Sequence, residues 1–486
     1  MQQVLNLTRS LFDTENNGSF INWLRIWEPN HKLANPKLSR TSESVGSPLY
    51  YAASTGLLHV GQLLIDGGAD VNAEGGYYDD ALRAAIKNDH GAFVRLLIKL
   101  GADVNGQGGS GGNTLELAAW NGNLSAFQLL IEKAADVSFS QKNFNEALQN
   151  AAWQGHDAIA QLSIENGADV NAEGGYEGYA IQAAASKGNE STVRLLIDEG
   201  THVDSQGGKI GSPLYESSFQ GHKGFVQVLL NKGTDVNAHN PRWGSALKGA
   251  SKGGHEAIAR LLVEKGANVN APGGRTHGDT LKAAICGGNK AITQLLIDAG
   301  ADVNGQGHDD GGSLAAAAAA ASSQGNDALL QLLIEKGANV KAPNSNALQE
   351  AAAIGNEVVT QLLIEKGADA NARGGKYNNA LVAAARNGYK EIVCLVIEKC
   401  ADIEAQDGFY GAALQAASKG GHEGIARLLI ENEANVNAQG GYHSNALQSA
   451  VFWNNDAVAR LLLSVGADTS MLKEHEREKL KGMISQ

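Results

Sequence analysis

Residues 245–270 read SALKGASKGGHEAIARLLVEKGANVN, two short helices joined by a turn. Ala246–Lys252 is small and apolar on one side, and Gly253-Gly254 breaks it. Ile258, Leu261 and Leu262 then recur at i, i+3 and i+4, the stripe of an amphipathic helix. Gly266 falls where a helix exit calls for a left-handed residue, which Gly adopts without a Cβ clash. Ala267-Asn-Val-Asn leads from there into a Gly-rich loop. One such unit cannot bury its own apolar stripe, so copies have to stack.

The copies run through the chain. The leading apolar residue of the first helix recurs at Leu49, Leu82, Leu115, Leu148, Ile181, Leu214, Leu247, Leu281, Ala318, Leu348, Leu381, Leu414 and Leu447. All but three of the steps between these thirteen positions are 33 residues. A 33-residue period with two helices per unit is that of ankyrin repeats. Ser47-Pro-Leu-Tyr50 and Ser212-Pro-Leu-Tyr215 stand where that family carries Thr-Pro-Leu-His. Gly254-His255, Gly221-His222 and Gly421-His422 match its Gly-His turn, and Gly68-Ala-Asp-Val-Asn72 its outer-helix exit. The chain therefore resembles the ankyrin family from Ser47 to Met471. Most units depart from the pattern by opening Ala-Leu and by carrying Gly-Gly where the finger usually has Asp. With phrases such as Asn171-Ala-Glu-Gly-Gly-Tyr176, it is similar to the ankyrin arrays of filamentous-fungal proteins, stand-alone or attached to nucleotide-binding signalling modules. The resemblance implies an all-α solenoid that binds a protein partner without catalysis.

The totals bound the remaining possibilities. The repeats imply one elongated array in place of the several domains that 486 residues would otherwise suggest. Net charge is −13, and a phosphate polymer needs a basic face, so no direct nucleic-acid binding is expected. The three cysteines, Cys286, Cys394 and Cys400, are odd in number and unpatterned, as in a reducing compartment. No run approaches the ~18 apolar residues of a membrane span. A monomer located in cytoplasm, nucleus or both is the expectation.

Residues 1–46 are not a repeat. Phe20, Trp23, Leu24 and Trp27 predict an amphipathic helix over Ser19–Glu28, a cap on the first repeat or a docking helix. Residues 31–46 read as linker. Most second helices end in Leu-Leu-Ile or a near variant, then two residues, then Gly; Ala134, Cys400 and Glu433 replace that Gly. Ala315–Ala321 is seven alanines, and there the register slips. Ala318 is the framework residue counted back from Leu332-Leu333-Ile334, while Leu314 fits by spacing from Leu281. An extra helical turn would accommodate both, since i and i+4 share a face. Leu472–Lys481 is charged and helix-prone, a capping segment for the end of the array.

Catalytic motifs are weak. Gly106-Gln-Gly-Gly-Ser-Gly111 spells G-x-G-x-x-G, but a dinucleotide site needs it between a strand and a helix, and here it is a finger. His255-Glu256 and His422-Glu423 lack the second His of a zinc motif, and such a turn His is expected to bond backbone. No G-x-S-x-G elbow and no phosphate-binding loop is present. No enzyme activity, cofactor or metal is expected.

The positions that vary against the framework carry more information. Five residues after each framework apolar stand Ser54, Lys87, Trp120, Trp153, Ser186, Phe219, Lys252, Cys286, Ser323, Ala353, Arg386, Lys419 and Phe452. Five and four residues before it stand Tyr77-Tyr78, Phe144, Tyr176, Arg242-Trp243, Tyr377, Phe409-Tyr410 and Tyr442. A core position should not alternate between Trp, Lys and Ser. Trp120, Trp153 and Phe219 are thus expected to form an aromatic stripe on a concave inner-helix face, edged by Tyr176, Arg242 and Trp243. The remaining finger aromatics are further partner-binding candidates, because Trp, Tyr and Arg dominate interface hot spots. The resemblance leaves three readings open: a scaffold or adaptor, the sensor part of a fungal signalling system, or a transcriptional coregulator linked to a biosynthetic gene cluster.

Overall fold

The computed structural model describes residues 47–105, 112–133, 139–174, 178–204, 211–273, 278–305, 312–324, 327–342, 346–374, 376–406 and 409–484. The expected helix at Ser19–Glu28, the loop Gly106–Gly111, Ala134 and Tyr176 lie outside these residues. Within them the chain forms thirteen helix pairs and a final helix, Glu474–Ile484. It divides into two compact units, Met1–Asp235 with six of the pairs and Val236–Gln486 with seven.

In the first unit the pairs run from Pro48–Thr55 and Leu58–Asp66 to Pro213–Gln220 and Lys223–Asn231. Each first helix packs on the first helix of the next pair, and each second helix lies behind it. The first helices start where the sequence supplies an acceptor for orphan N–H groups. Ser47, Asp80, Asn113 and Ser212 each accept a hydrogen bond from the N–H three residues on. Pro48 and Pro213 open their helices at the position where a missing N–H costs nothing.

The second unit repeats this arrangement from Ala246–Gly253 and Glu256–Glu264 to Ala446–Phe452 and Asp456–Ser464. In the pair 245–270, Gly254 ends the first helix at φ +78° and Gly266 follows the second at φ +87°. The buried stripe of the second helix is Ile258, Ala259 and Leu262, with Leu261 only half-buried. The alanine-rich helix spans Ser313–Gln324, longer than its neighbours. Leu314 sits one residue inside its start and Ala318 seven before position 325. Both are buried, so the inserted turn holds both framework candidates at once. Glu474–Ile484 packs on the last pair, where Glu476 accepts from Gln448 Nε2 at 3.0 Å and Arg460 donates to the Met483 carbonyl at 2.7 Å.

Side-chain amides tie successive exits together inside each unit. Asn237 Nδ2 donates to the Gly266 carbonyl (3.2 Å) while its Oδ1 accepts from Asn268 N–H (2.7 Å). Asn72, Asn171, Asn270 and Asn437 make the same pair of bonds one repeat onward. The Gly-Gly fingers have their own closure: the first Gly N–H donates to the carbonyl four residues on, from Gly174 to Gly178 (2.6 Å) and from Gly440 to Ser444 (2.7 Å). Around Arg242 the finger becomes a two-stranded antiparallel hairpin, His239–Asn240 with Gly244–Ser245. None of the helices among the described residues is long and apolar enough to cross a membrane.

Candidate functional site

In several first helices the last turn carries a large side chain outward. In the first unit Trp120 is 43 % exposed, and Trp153 and Phe219 are half-buried. The Lys187 ammonium lies 4.1 Å from the Trp153 ring centre, and Phe219 stacks on Tyr215 at 6.2 Å. Trp120 shares a cleft of about 390 Å³ with Tyr77, Tyr78, Arg83, Lys87 and Glu116. Tyr77 is exposed at its mouth, whereas Tyr78 leans on the buried Tyr50, Tyr51 and Ala84. Burial, reinforced by the Glu146 carboxylate, pushes the Glu116 carboxyl up to about 7.

One expectation needs correcting. Phe144 is not on a finger: the helix Gln141–Gln154 starts before it, capped by Ser140, and the ring is 7 % exposed. It fills the core and is not available to a partner. The local cause is the missing Gly-Gly, since QKNFNEAL has no helix breaker and simply joins the first helix.

In the second unit the finger aromatics converge. Tyr377 stacks on Tyr410 (5.4 Å, 29° between planes), Phe409 meets Tyr410 edge-on at 4.8 Å, and Phe409 reaches Tyr442 at 6.0 Å. The chain of rings continues through His443 to Phe452 and Trp453. Phe409 and Tyr442 remain 52 % and 72 % exposed, and Phe452 and Trp453 are exposed as well. The Lys419 ammonium stands among them, 4.5 Å from the Phe409 ring centre, 4.8 Å from Tyr410 and 5.3 Å from Trp453. Partial burial, then the Arg386 guanidinium, lowers its pKa. Arg242 and Trp243 belong to the hairpin earlier in this unit, guanidinium over indole at 5.0 Å.

Sequence reasoning missed Trp453 and His443 as members of this cluster. It also missed the residue after the framework apolar, which anchors the fingers. Tyr50 Oη accepts from the N–H groups of Tyr77 and Tyr78, and Arg83 donates to the carbonyls of Tyr78 and Gly112. Gln149, Gln182, Gln349 and Gln415 donate to finger carbonyls in the same way. The signal was legible as a column of mostly long polar residues, Tyr, Arg, Lys, Glu or Gln in all but two repeats, next to the framework apolar row.

This is the position of the His in the Thr-Pro-Leu-His motif, and the family model for ankyrin repeats (3 copies) matches residues 15–108, 49–141, 148–240, 214–307, 316–407 and 382–472. The chain belongs to the ankyrin-repeat family. No curated protein gives a match. Ankyrin repeats are in general protein–protein interaction modules and in general non-catalytic. Two turn histidines have the backbone role suited to that fold: His422 Nε2 lies 3.2 Å from the Arg386 carbonyl and His90 Nε2 3.1 Å from that of Ser54, each in the preceding repeat. Among the described residues no three His, Cys, Asp or Glu side chains group as metal ligands would.

Proposed function

We propose that this ankyrin array is a non-catalytic scaffold or adaptor that binds a protein partner on the first-helix ends and fingers. The observation that carries the reading is the exposed run of rings from Tyr377 to Trp453. Burying such rings in water-free contact is favourable, and large exposed apolar patches on soluble proteins mark interaction sites. Trp120, Trp153, Phe219 and Tyr77 offer the same residue types in the first unit, and Arg242 and Trp243 a smaller third group.

A photoreactive residue placed at Tyr442 should crosslink a discrete partner in cells, while the same residue at Arg260 on a second helix should not. Phe409→Ala with Trp453→Ala should abolish the adduct with unchanged circular dichroism. Trp120→Ala with Trp153→Ala should weaken the purified complex further, single hot spots contributing ~2 kcal/mol or more. Capture from Arg260, with the aromatic variants binding as before, would place the interface elsewhere.

A further inference from the structure

The ring cluster at Lys419 contains its own cation, and that fixes the charge of what can bind there. The site over the faces of Phe409, Tyr410 and Trp453, where a ligand cation would gain most, is filled by the Lys419 ammonium. A cationic ligand would meet repulsion. Several other cations are paired within the chain: on second helices Arg194, Arg260 and Arg427 meet the Glu four residues before them at 2.6–2.8 Å, and Lys336, just past a second helix, meets Asp298 at 3.0 Å. Among the described residues Lys419 has no such carboxylate, and neither does Arg386, the equivalent side chain one repeat earlier. Arg386 also has a buried Nε–H with no hydrogen-bond partner among the described residues.

The surroundings keep this sign. Lys376 lies 5.3 Å from the Tyr377 ring centre, and Lys479 reaches Phe452 from the terminal helix. Glu476, whose charge acts on His443, is buried and already accepts from Gln448. The three finger sequences 373–378, 406–410 and 439–444 hold one acid, Asp407, which lies outside the described residues. In a chain of net charge −13, this ring cluster thus carries positive charge beside its exposed rings.

We propose that this patch takes an acidic, extended segment of a partner protein, its carboxylates meeting Lys419 and Arg386 and its apolar side chains lying on Phe409 and Tyr442. The inference rests on the patch being the protein-binding surface. A peptide fits better than a nucleic acid. Two or three cations suit a few carboxylates, while a phosphate polymer extending past the patch would meet the acidic remainder of the molecule.

The test is selection of random dodecapeptides displayed on phage against the full chain. Peptides rich in Asp and Glu and carrying an aromatic or large aliphatic residue should be enriched. A representative synthetic peptide should bind about tenfold or more weakly to Lys419→Glu with Arg386→Glu, the scale of losing a paired interface charge. Lys419→Met, which keeps the aliphatic stem on the rings, should lose most of the same affinity with an unchanged melting curve. Neutral or basic peptides that depend on Phe409 and Tyr442 would overturn the acidic partner and leave the binding surface standing. Peptides indifferent to both sets of variants, or no enrichment at all, would overturn both. Saturable binding of single-stranded oligothymidylate, weakened by salt and lost in Lys419→Met, would make the patch a nucleic-acid site instead.

Discussion

Cys400 and Glu433 hold φ of +61° and +69° at second-helix exits where ten other repeats have Gly between +87° and +95°. A left-handed backbone costs an L-residue ~1–2 kcal/mol, because Cβ crowds the following carbonyl. Both exits keep their bonds all the same. The Cys400 carbonyl accepts from Asn371 Nδ2 at 3.1 Å, and Glu433 N–H donates to the Ile430 carbonyl at 3.0 Å. Cys400→Gly and Glu433→Gly should each raise stability by about 0.5 kcal/mol, the relief of strain less the entropy Gly adds to the unfolded chain. Denaturant midpoints of the two single variants check this, and neutral or lowered midpoints in both would mean that the strain is relieved elsewhere. The same conformation appears at Asp89 and Asn454, where first helices end without Gly. Asp and Asn tolerate it through their short polar side chains, so those two sites are poorer targets.

At the scale of the helix and its finger, the repeat period, the helix pairs and the Leu314/Ala318 insertion could all be read from spacing alone. Those features follow from hydrophobic periodicity and from Gly punctuation, which are local. The finger anchors were harder to read, since Gln415 earns its place through atoms 23 to 29 residues away. Its Nε2 donates to the Ala438, Gly440 and Ser444 carbonyls, and its Oε1 accepts from Ala412 N–H. Phe144 was misplaced for the complementary reason: fixed spacing from Leu148 assigned it to a finger that the local sequence does not form. Gln415→Ala should cost about 1–3 kcal/mol, because the buried Ala412 N–H loses its acceptor and the half-buried finger carbonyls lose their donor. It should also loosen the finger that presents Tyr442, so peptide affinity should fall although no contact residue has changed. A stability loss with unaltered affinity would show that the finger is held by its own Gly440–Ser444 closure.

Across the whole molecule, stability in a stacked array is close to a sum of repeat terms and nearest-neighbour terms, so one poor repeat makes a weak seam. Within the Val236–Gln486 unit that seam should lie at 313–346. The helix Ser313–Gln324 offers its neighbours mostly methyl groups, with Leu314 the large apolar residue near its start. An Ala in place of a buried Leu forfeits roughly 2–5 kcal/mol where neighbours cannot close around it, and the good helix propensity of Ala offsets only a few tenths per residue. The polar accounting points the same way. Ser313 Oγ, Asp327 Oδ1 and Asn346 Oδ1 are buried without hydrogen-bond partners among the described residues, and Asn346 sits at φ +49°. By contrast, in the repeat 246–279 the Ser245 Oγ caps its helix, Ser251 Oγ donates to the Leu247 carbonyl at 2.7 Å, and Leu247 and Leu262 fill both helices' inner faces. Hydrogen exchange resolved by peptide should therefore show amides of 313–346 exchanging faster than those of 246–279 under native conditions. Ala318→Leu should then either raise protection at 313–346, if space remains beside the alanines, or lower it by overpacking. Equal protection in the unaltered chain would mean that burying Leu314 through the extra turn has already restored the neighbour terms, and that the array has no seam there.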